Sequence, residues 1–85
     1  MAYRIEIDRR ALRSLKRLTQ DAQKRLIAAI DGLASDPRPD SVTKLTGREE
    51  WRIRIGVHRV IYTIDDKQQT VTVWKAGHRK EVYRR

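Results

Sequence analysis

The sequence has no cysteine and no phenylalanine, and it has only two prolines and four glycines among 85 residues. Without cysteine the chain cannot be held together by disulfides, which fits a reducing compartment. It contains no internal repeat, no low-complexity segment and no linker. Because 85 residues is the size of one small domain, we predict a single domain covering residues 1–85.

Several functional patterns are missing as well. No apolar run approaches the ~18–20 residues of a membrane span, and the N-terminus lacks the apolar segment of a signal peptide. We therefore expect a soluble, cytoplasmic protein with no membrane partner. The sequence has no Gly-rich phosphate loop, no nucleophile elbow and no residue cluster with metal-ligand spacing, so we predict neither a cofactor nor a metal site.

Positive charge is what the sequence has in excess. It carries 20 Lys and Arg against 11 Asp and Glu, a net charge of +9. Residues 1–40 hold nine basic and six acidic groups (+3), and residues 41–85 hold eleven and five (+6). Most of the cations are arginine, which binds phosphate in bidentate fashion and stacks on bases. This balance predicts an anionic partner, either RNA or DNA.

The most informative stretch runs from Trp51 to Tyr62. Trp51, Ile53 and Ile55 alternate with Arg52 and Arg54, which is typical of a half-buried strand. We predict a turn at Gly56 with the two residues that follow it, and then a second strand.

The second strand is expected to expose Arg59 on the same sheet face as Arg52 and Arg54. Three guanidinium groups on one face repel each other, and a polyanion would make that arrangement favourable. The alternative is an ordinary solvated polar face.

The rest of the chain predicts an α+β fold. A short strand at residues 3–7 is followed by a helix with Asp8 as its N-cap, and Thr19 caps a second helix that ends at residues 36–39. The apolar stripe of the second helix is predicted to be Leu26, Ile27, Ile30, Leu33 and Ala34.

The second half of the chain is predicted to supply most of the sheet. Residues 40–50 form a polar connection and residues 65–69 a turn. Residues 70–76 form a strand of uncertain parity, because Val71 and Val73 oppose Trp74. In the order β-α-α-β-β-β, a two-helix hairpin packs on one face of a four-stranded antiparallel sheet, mixed through the N-terminal strand. The other sheet face is expected to be open.

The basic residues are sufficient for one kind of chemistry. RNA cleavage without a metal requires a base for the 2′-OH, a cation for the phosphorane and an acid for the leaving 5′-oxygen. Arginine can stabilise the phosphorane but is a poor base, since its pKa lies above ~12. His58, His78 and Tyr83 are the candidates for proton transfer, although each has an ordinary structural explanation.

Three sequence segments resemble the RelE/ParE superfamily of bacterial and archaeal toxins, and most closely its RelE branch. They are Lys44-Leu-x-Gly47, the stretch from Trp51 to Tyr62, and Gly77-His-Arg-Lys-Glu-Val-Tyr83. The resemblance implies a RelE-like fold and a metal-independent endoribonuclease that cuts mRNA in the ribosomal A site. It also implies a cognate antitoxin that neutralises the toxin, in a complex that binds operator DNA through the antitoxin.

The resemblance also implies a set of site residues. The catalytic set would be Arg52, Arg54, Arg59, Arg79, Tyr83 and, as a second candidate for proton transfer, His78. Further RNA contacts are predicted at Lys44, Arg48, Lys80 and Arg84. The sequence departs from the best-known RelE enzymes at Arg52 and Arg54, where those enzymes have lysine. This departure leaves the general base unassigned between Tyr83 and His78.

Two other functions remain open. A ParE-like toxin would inhibit DNA gyrase by binding it, without cleavage chemistry. An inactive module that binds only nucleic acid or antitoxin is the third possibility, because of the substitutions at Arg52 and Arg54.

Overall fold

A computed structural model describes residues 2–40, 42–45, 47 and 49–78. It contains two helices and five strands in the following order: β1 (Arg4–Ile7), α1 (Arg9–Lys16), α2 (Gln20–Gly32), β2 (Val42–Lys44), β3 (Glu50–Ile55), β4 (His58–Asp65) and β5 (Thr70–His78). Within the described residues, neither helix is long and apolar enough to cross a membrane.

The strands form one mixed sheet in the order β1-β5-β4-β3-β2. β1 pairs with β5 in parallel, and all the other pairs are antiparallel. The predicted α+β class is confirmed, but the sheet has five strands rather than four. The additional strand is β2, which lies inside the stretch predicted as a polar connection and pairs with β3. Its three residues are too few to show an alternating pattern.

The predicted helix caps are confirmed. The Asp8 side chain accepts a hydrogen bond from the Arg10 amide, and the Thr19 hydroxyl accepts one from the Ala22 amide. The second helix ends earlier than predicted, at Gly32. The next residues continue as a tighter turn, in which the Leu33 amide bonds the Ile30 carbonyl.

The core lies between the two helices and one face of the sheet. Ala11 and Leu15 of α1 are buried, as are Leu26 and Ile30 of α2 and Leu33 just after it. They pack with the buried sheet residues Ile53, Val60, Tyr62, Val71, Val73 and Ala76. The prediction that Ile27 belongs to this stripe is wrong, because it is 44% exposed. Leu26, Ile30 and Leu33 follow the i, i+4, i+7 spacing, and Ile27 lies about 100° around the helix from Leu26.

Two hydrogen-bond systems hold the connection after α2. The Tyr62 hydroxyl donates to the Pro37 carbonyl at 2.7 Å, and burial raises the pKa of Tyr62 to about 12. Arg38 forms a bidentate pair with Asp66, which also accepts a hydrogen bond from the Tyr3 hydroxyl at 2.6 Å. The Arg38 guanidinium, followed by the Tyr3 hydroxyl, lowers the pKa of Asp66. The connection is therefore attached both to the core and to the turn between β4 and β5.

Candidate nucleic-acid interface

The pairing of β3 with β4 sets which side chains share a face. Arg54 lies directly opposite Arg59, and Arg52 lies directly opposite Ile61. Trp51 and Ile53 pair with core residues of β4 on the other face, which the helices cover. The prediction that the three arginines share the face opposite the helices is confirmed by this register. We call the set Arg52, Arg54 and Arg59 the arginine face.

The arginine face is not uniformly open, so the prediction of an open face is wrong in part. Ile61 is 3% exposed and Arg59 is 9% exposed, whereas Arg52 is half-buried and Arg54 is exposed. Ile61 has Arg52 as its partner on β3 and Lys75 as its partner on β5. Long cationic side chains bury apolar neighbours beneath their methylene groups while the charge stays in water.

Arg59 is a buried cation without a counter-ion among the described residues. One of its terminal nitrogens, Nη1, donates to the carbonyls of His58 at 3.1 Å and Gly56 at 3.4 Å. Its Nε is buried and has no hydrogen-bond partner there, and none of the ion pairs within the described residues includes Arg59. A buried charge held only by carbonyl oxygens is costly, and an anion bound beside it would offset that cost.

A β-bulge adds two residues to this side of the sheet. Ile61 pairs with Lys75, but the next residue, Tyr62, pairs with Val73, so Trp74 is an extra residue in β5. Trp74 and Lys75 are both exposed, and the Trp74 indole donates to the hydroxyl of Thr63 at 2.8 Å. Thr63 lies on the side away from the core. The position of Trp74 opposite to Val71 and Val73 is ordinary strand alternation, and the bulge shows only in Ala76, which is buried on the core face three residues after Val73.

Two predicted site residues lie away from the arginine face. His78 pairs with His58, next to the row in which Arg59 pairs with Gly77, so the alternation of the strand points both histidines to the opposite side. Their rings meet edge to face, with centroids 6.2 Å apart. Lys44 pairs with Trp51, and its ammonium lies 5.9 Å from the centre of the Trp51 ring and 3.9 Å from the Glu49 carboxylate.

The other predicted site residues lie outside the described residues. They are Arg48, Arg79, Lys80, Tyr83 and Arg84. The described part of the candidate site therefore consists of the arginine face with Trp74 and Lys75 beside it. It is a cationic surface with one exposed aromatic ring, which suits a phosphate-containing strand.

Comparison with known proteins identifies the family. The profile of the family described as ParE toxin of type II toxin-antitoxin system, parDE, matches residues 5–83. The chain therefore belongs to this family, within the RelE/ParE superfamily, and is a toxin of a toxin–antitoxin system.

Individual relatives carry RelE-type names. A protein named as a toxin, RelE1, in Methanocaldococcus jannaschii is 30% identical over 99% of this chain and 98% of its own length. Toxin RelG of Mycobacterium tuberculosis is 32% identical, with both chains covered completely. Among solved structures, a chain of the archaeal RelE–RelB complex from Pyrococcus horikoshii superposes with a TM-score of 0.83. It is 29% identical, and the match covers 93% of this chain and 97% of that one.

Proposed function

We propose that this toxin is a ribosome-dependent, metal-independent endoribonuclease that cleaves mRNA in the ribosomal A site. The RelE-type names of its relatives support this function over others within the superfamily. The observation on which the proposal chiefly rests is the buried Arg59, which lies directly opposite Arg54 and has no counter-ion among the described residues.

The arginine face suits the transition state of RNA cleavage. In that reaction the 2′-oxygen attacks phosphorus, the 5′-oxygen leaves, and the products are a 2′,3′-cyclic phosphate and a 5′-hydroxyl. The phosphorane between them carries more negative charge than the starting diester. Cations already held in place before the reaction stabilise this additional charge without reorganisation. In our proposal Arg59, with Arg79, holds the scissile phosphate, and Arg52 and Arg54 stabilise the added charge.

Proton transfer requires another group, because the guanidinium of arginine does not release its proton at neutral pH. Tyr83 is our first candidate, since the resemblance assigns the C-terminal tyrosine to the site. His78 is less favourable, since its strand position directs it away from the arginine face. A His78→Ala variant is therefore expected to retain cleavage. A Tyr83→Ala variant is expected to cleave more slowly by a factor of ~10²–10³.

We also propose a cognate antitoxin as the protein partner. The structural relative from Pyrococcus horikoshii is described as a RelE–RelB complex. An acidic or amphipathic antitoxin segment would cover the basic surface, so its affinity should fall as salt rises. The complex would bind operator DNA through the antitoxin.

Primer extension on mRNA bound to programmed ribosomes tests the function. Toxin that has been treated with EDTA and then freed of the chelator should produce cuts at the A-site codon of ribosomes kept in Mg²⁺ buffer, and Arg59→Ala should abolish them. The same mRNA without ribosomes should remain intact. No cleavage by well-folded toxin, or cleavage that this EDTA treatment of the toxin abolishes, would refute the corresponding part of the proposal.

Inhibition of DNA gyrase is the second candidate, because the matching family profile bears the ParE name. A supercoiling assay with purified gyrase separates the two functions. Loss of supercoiling at a toxin concentration that leaves ribosome-bound mRNA uncut would favour the ParE-like function. A toxin that cuts mRNA and leaves supercoiling unchanged would exclude it.

A further inference from the structure

The β-bulge in β5 gives one tryptophan an unusual setting. Trp74 has no partner in the β4 register, because Lys75 pairs with Ile61 and Val73 pairs with Tyr62. Tyr62 and Val73 are fully buried in the core, so the alternation of β5 turns Trp74 to the opposite side of the sheet. The bulge keeps Lys75 on that same side. Bulges often re-aim side chains in this way beside functional sites.

The indole of Trp74 is oriented by a hydrogen bond. Its Nε1 donates to the Thr63 hydroxyl at 2.8 Å, while the residue remains 44% exposed. Because its only donor is already used, what the ring offers a partner is an apolar π surface. A ring that is fixed before binding loses little conformational entropy when a partner stacks on it.

The charge around this ring is positive. Lys75 is exposed and adjacent in sequence, and Arg52 lies across Ile61 from Lys75. Thr63, which holds the indole, is four residues from Arg59 along β4. At the usual rise per residue this places the two positions about 13 Å apart on one strand. A short single strand of nucleic acid can extend over both.

We propose that Trp74 is a stacking platform for a nucleobase of single-stranded RNA whose phosphates lie on the arginine face. This inference rests on the proposed function and adds to it a base-binding position. Stacking on an aromatic ring beside cations is a common way for proteins to hold single-stranded nucleic acid, and it tolerates any base.

An apolar protein partner fits this surface less well. Of the other exposed large hydrophobic residues in the described part of the chain, Leu12 and Ile27 are on α1 and α2, which cover the opposite face of the sheet. Val57 is in the turn between β3 and β4, six residues before Thr63, which bonds the indole. Among the described residues Trp74 is therefore an isolated aromatic residue on a cationic surface and not part of a contiguous apolar patch. Protein interfaces bury such patches at their centres, whereas a nucleobase needs only one ring.

Tryptophan fluorescence provides a direct test. The chain has two tryptophans, so a Trp51→Phe variant leaves Trp74 as the only reporter. We expect a labelled single-stranded oligoribonucleotide to bind this variant and quench its emission. Inorganic polyphosphate, which has phosphates but no bases, should compete for binding without the same quenching. Equal quenching by both probes, or RNA binding without quenching, would overturn the inference, as would the absence of RNA binding.

Substitutions provide an independent test that does not require Trp51→Phe to fold. Trp74→Ala should weaken RNA binding by roughly 5- to 150-fold, the equivalent of one stacked base, and Trp74→Phe should retain most of the affinity. Ile27→Ala is the matched control, because Ile27 has the same exposed fraction on the helical side. Thermal denaturation must show that each variant is folded. Equal RNA affinities of the Trp74→Ala and Ile27→Ala variants would refute the role of Trp74 in base stacking. If Trp74→Ala weakened antitoxin binding and left RNA binding unchanged, Trp74 would belong to the antitoxin interface instead.

A failure of the stacking proposal can be distinguished from a failure of the proposed ribonuclease function. RNA stacking is measured on the isolated toxin without ribosomes, so it can succeed even if the protein cuts no mRNA. If the protein does cut mRNA, Trp74→Ala should raise the toxin concentration needed for half-maximal cleavage more than it lowers the maximal single-turnover rate. A drop in the maximal rate alone would contradict a role in binding.

Discussion

Arg54 lies directly opposite Arg59 across β3 and β4, so two guanidinium groups share one cross-strand position. Like charges placed directly opposite each other destabilise a sheet. Arg59 adds a second cost, because its charge is buried without a counter-ion among the described residues. The free protein therefore contains an arrangement that a bound phosphate would improve.

An Arg54→Thr variant separates stability from function. Removing one of the opposed charges should raise the free energy of unfolding by about 0.2–1 kcal/mol, and threonine suits a strand position. The same change should slow single-turnover cleavage of ribosome-bound mRNA by ~10²–10³ if Arg54 stabilises the transition state. Urea denaturation and primer extension measure the two effects. The control is Lys67→Thr, since Lys67 is an exposed cation in the turn after β4. An equal loss of activity in this variant would show that only the net charge of the protein matters.

Position 52 tests whether charge or bidentate geometry is required. In our proposal Arg52 acts through its positive charge, which lysine also carries, so we expect Arg52→Lys to retain most of the cleavage activity. Arg52→Ala removes the charge and should lose ~10²–10³ in rate. The measurement is again single-turnover cleavage at saturating toxin. An Arg52→Lys variant as slow as Arg52→Ala would mean that the planar guanidinium is needed here.

The sequence was most informative where one local pattern determines the structure. The alternation from Trp51 to Ile55 predicted both the strand and the face that carries Arg52 and Arg54. Asp8 and Thr19 predicted the helix starts, since a cap depends only on residues close by in sequence. These features do not require knowledge of the partner strand.

Features that depend on a partner strand could not be read from the sequence. The bulge at Trp74 appears only when β5 is aligned with β4, and the same alignment directs His78 away from Arg59. The burial of Arg59 and Ile61 likewise depends on neighbours across the sheet. The sequence thus predicted the arginine face but not Trp74 and Lys75 beside it.

Tyr62 should make the stability of the protein fall at high pH. Burial raises its pKa to about 12 from an ordinary value of 10.0, so the folded state keeps a proton that the unfolded chain releases. This contribution is fully present below pH 10 and is lost as the pH rises from about 10 towards 12. A Tyr62→Phe variant has no hydroxyl to titrate, so it lacks this pH-dependent contribution. It also lacks the hydrogen bond to Pro37, and such a bond typically contributes about 1 kcal/mol. Urea denaturation at several pH values should show wild type more stable at pH 8 and the difference shrinking above pH 10. A constant difference would contradict the assignment.

The last prediction concerns Arg13, at the centre of the solvent-facing side of α1. Its neighbours at i±3 and i±4 are Arg9, Arg10, Lys16 and Arg17, all exposed and basic, and α1 has no acidic residue in its first turn. Each like-charge pair at these spacings destabilises a helix by about 0.2–0.5 kcal/mol. Replacing Arg13 by glutamine, which is a comparable helix former, should therefore raise the free energy of unfolding by roughly 0.5–1.5 kcal/mol.

The gain from Arg13→Gln should shrink as salt is raised, since exposed charges are screened within a Debye length of about 3 Å at 1 M. Lys24→Gln in α2 is the matched control. Lys24 has Asp21 three residues before it, so removing it breaks an attractive pair and should leave stability unchanged or slightly lower. Urea denaturation of both variants at low and high salt measures the effect. An Arg13→Gln variant that is less stable than wild type, or whose gain does not depend on salt, would show that repulsion along α1 does not limit the stability of this fold.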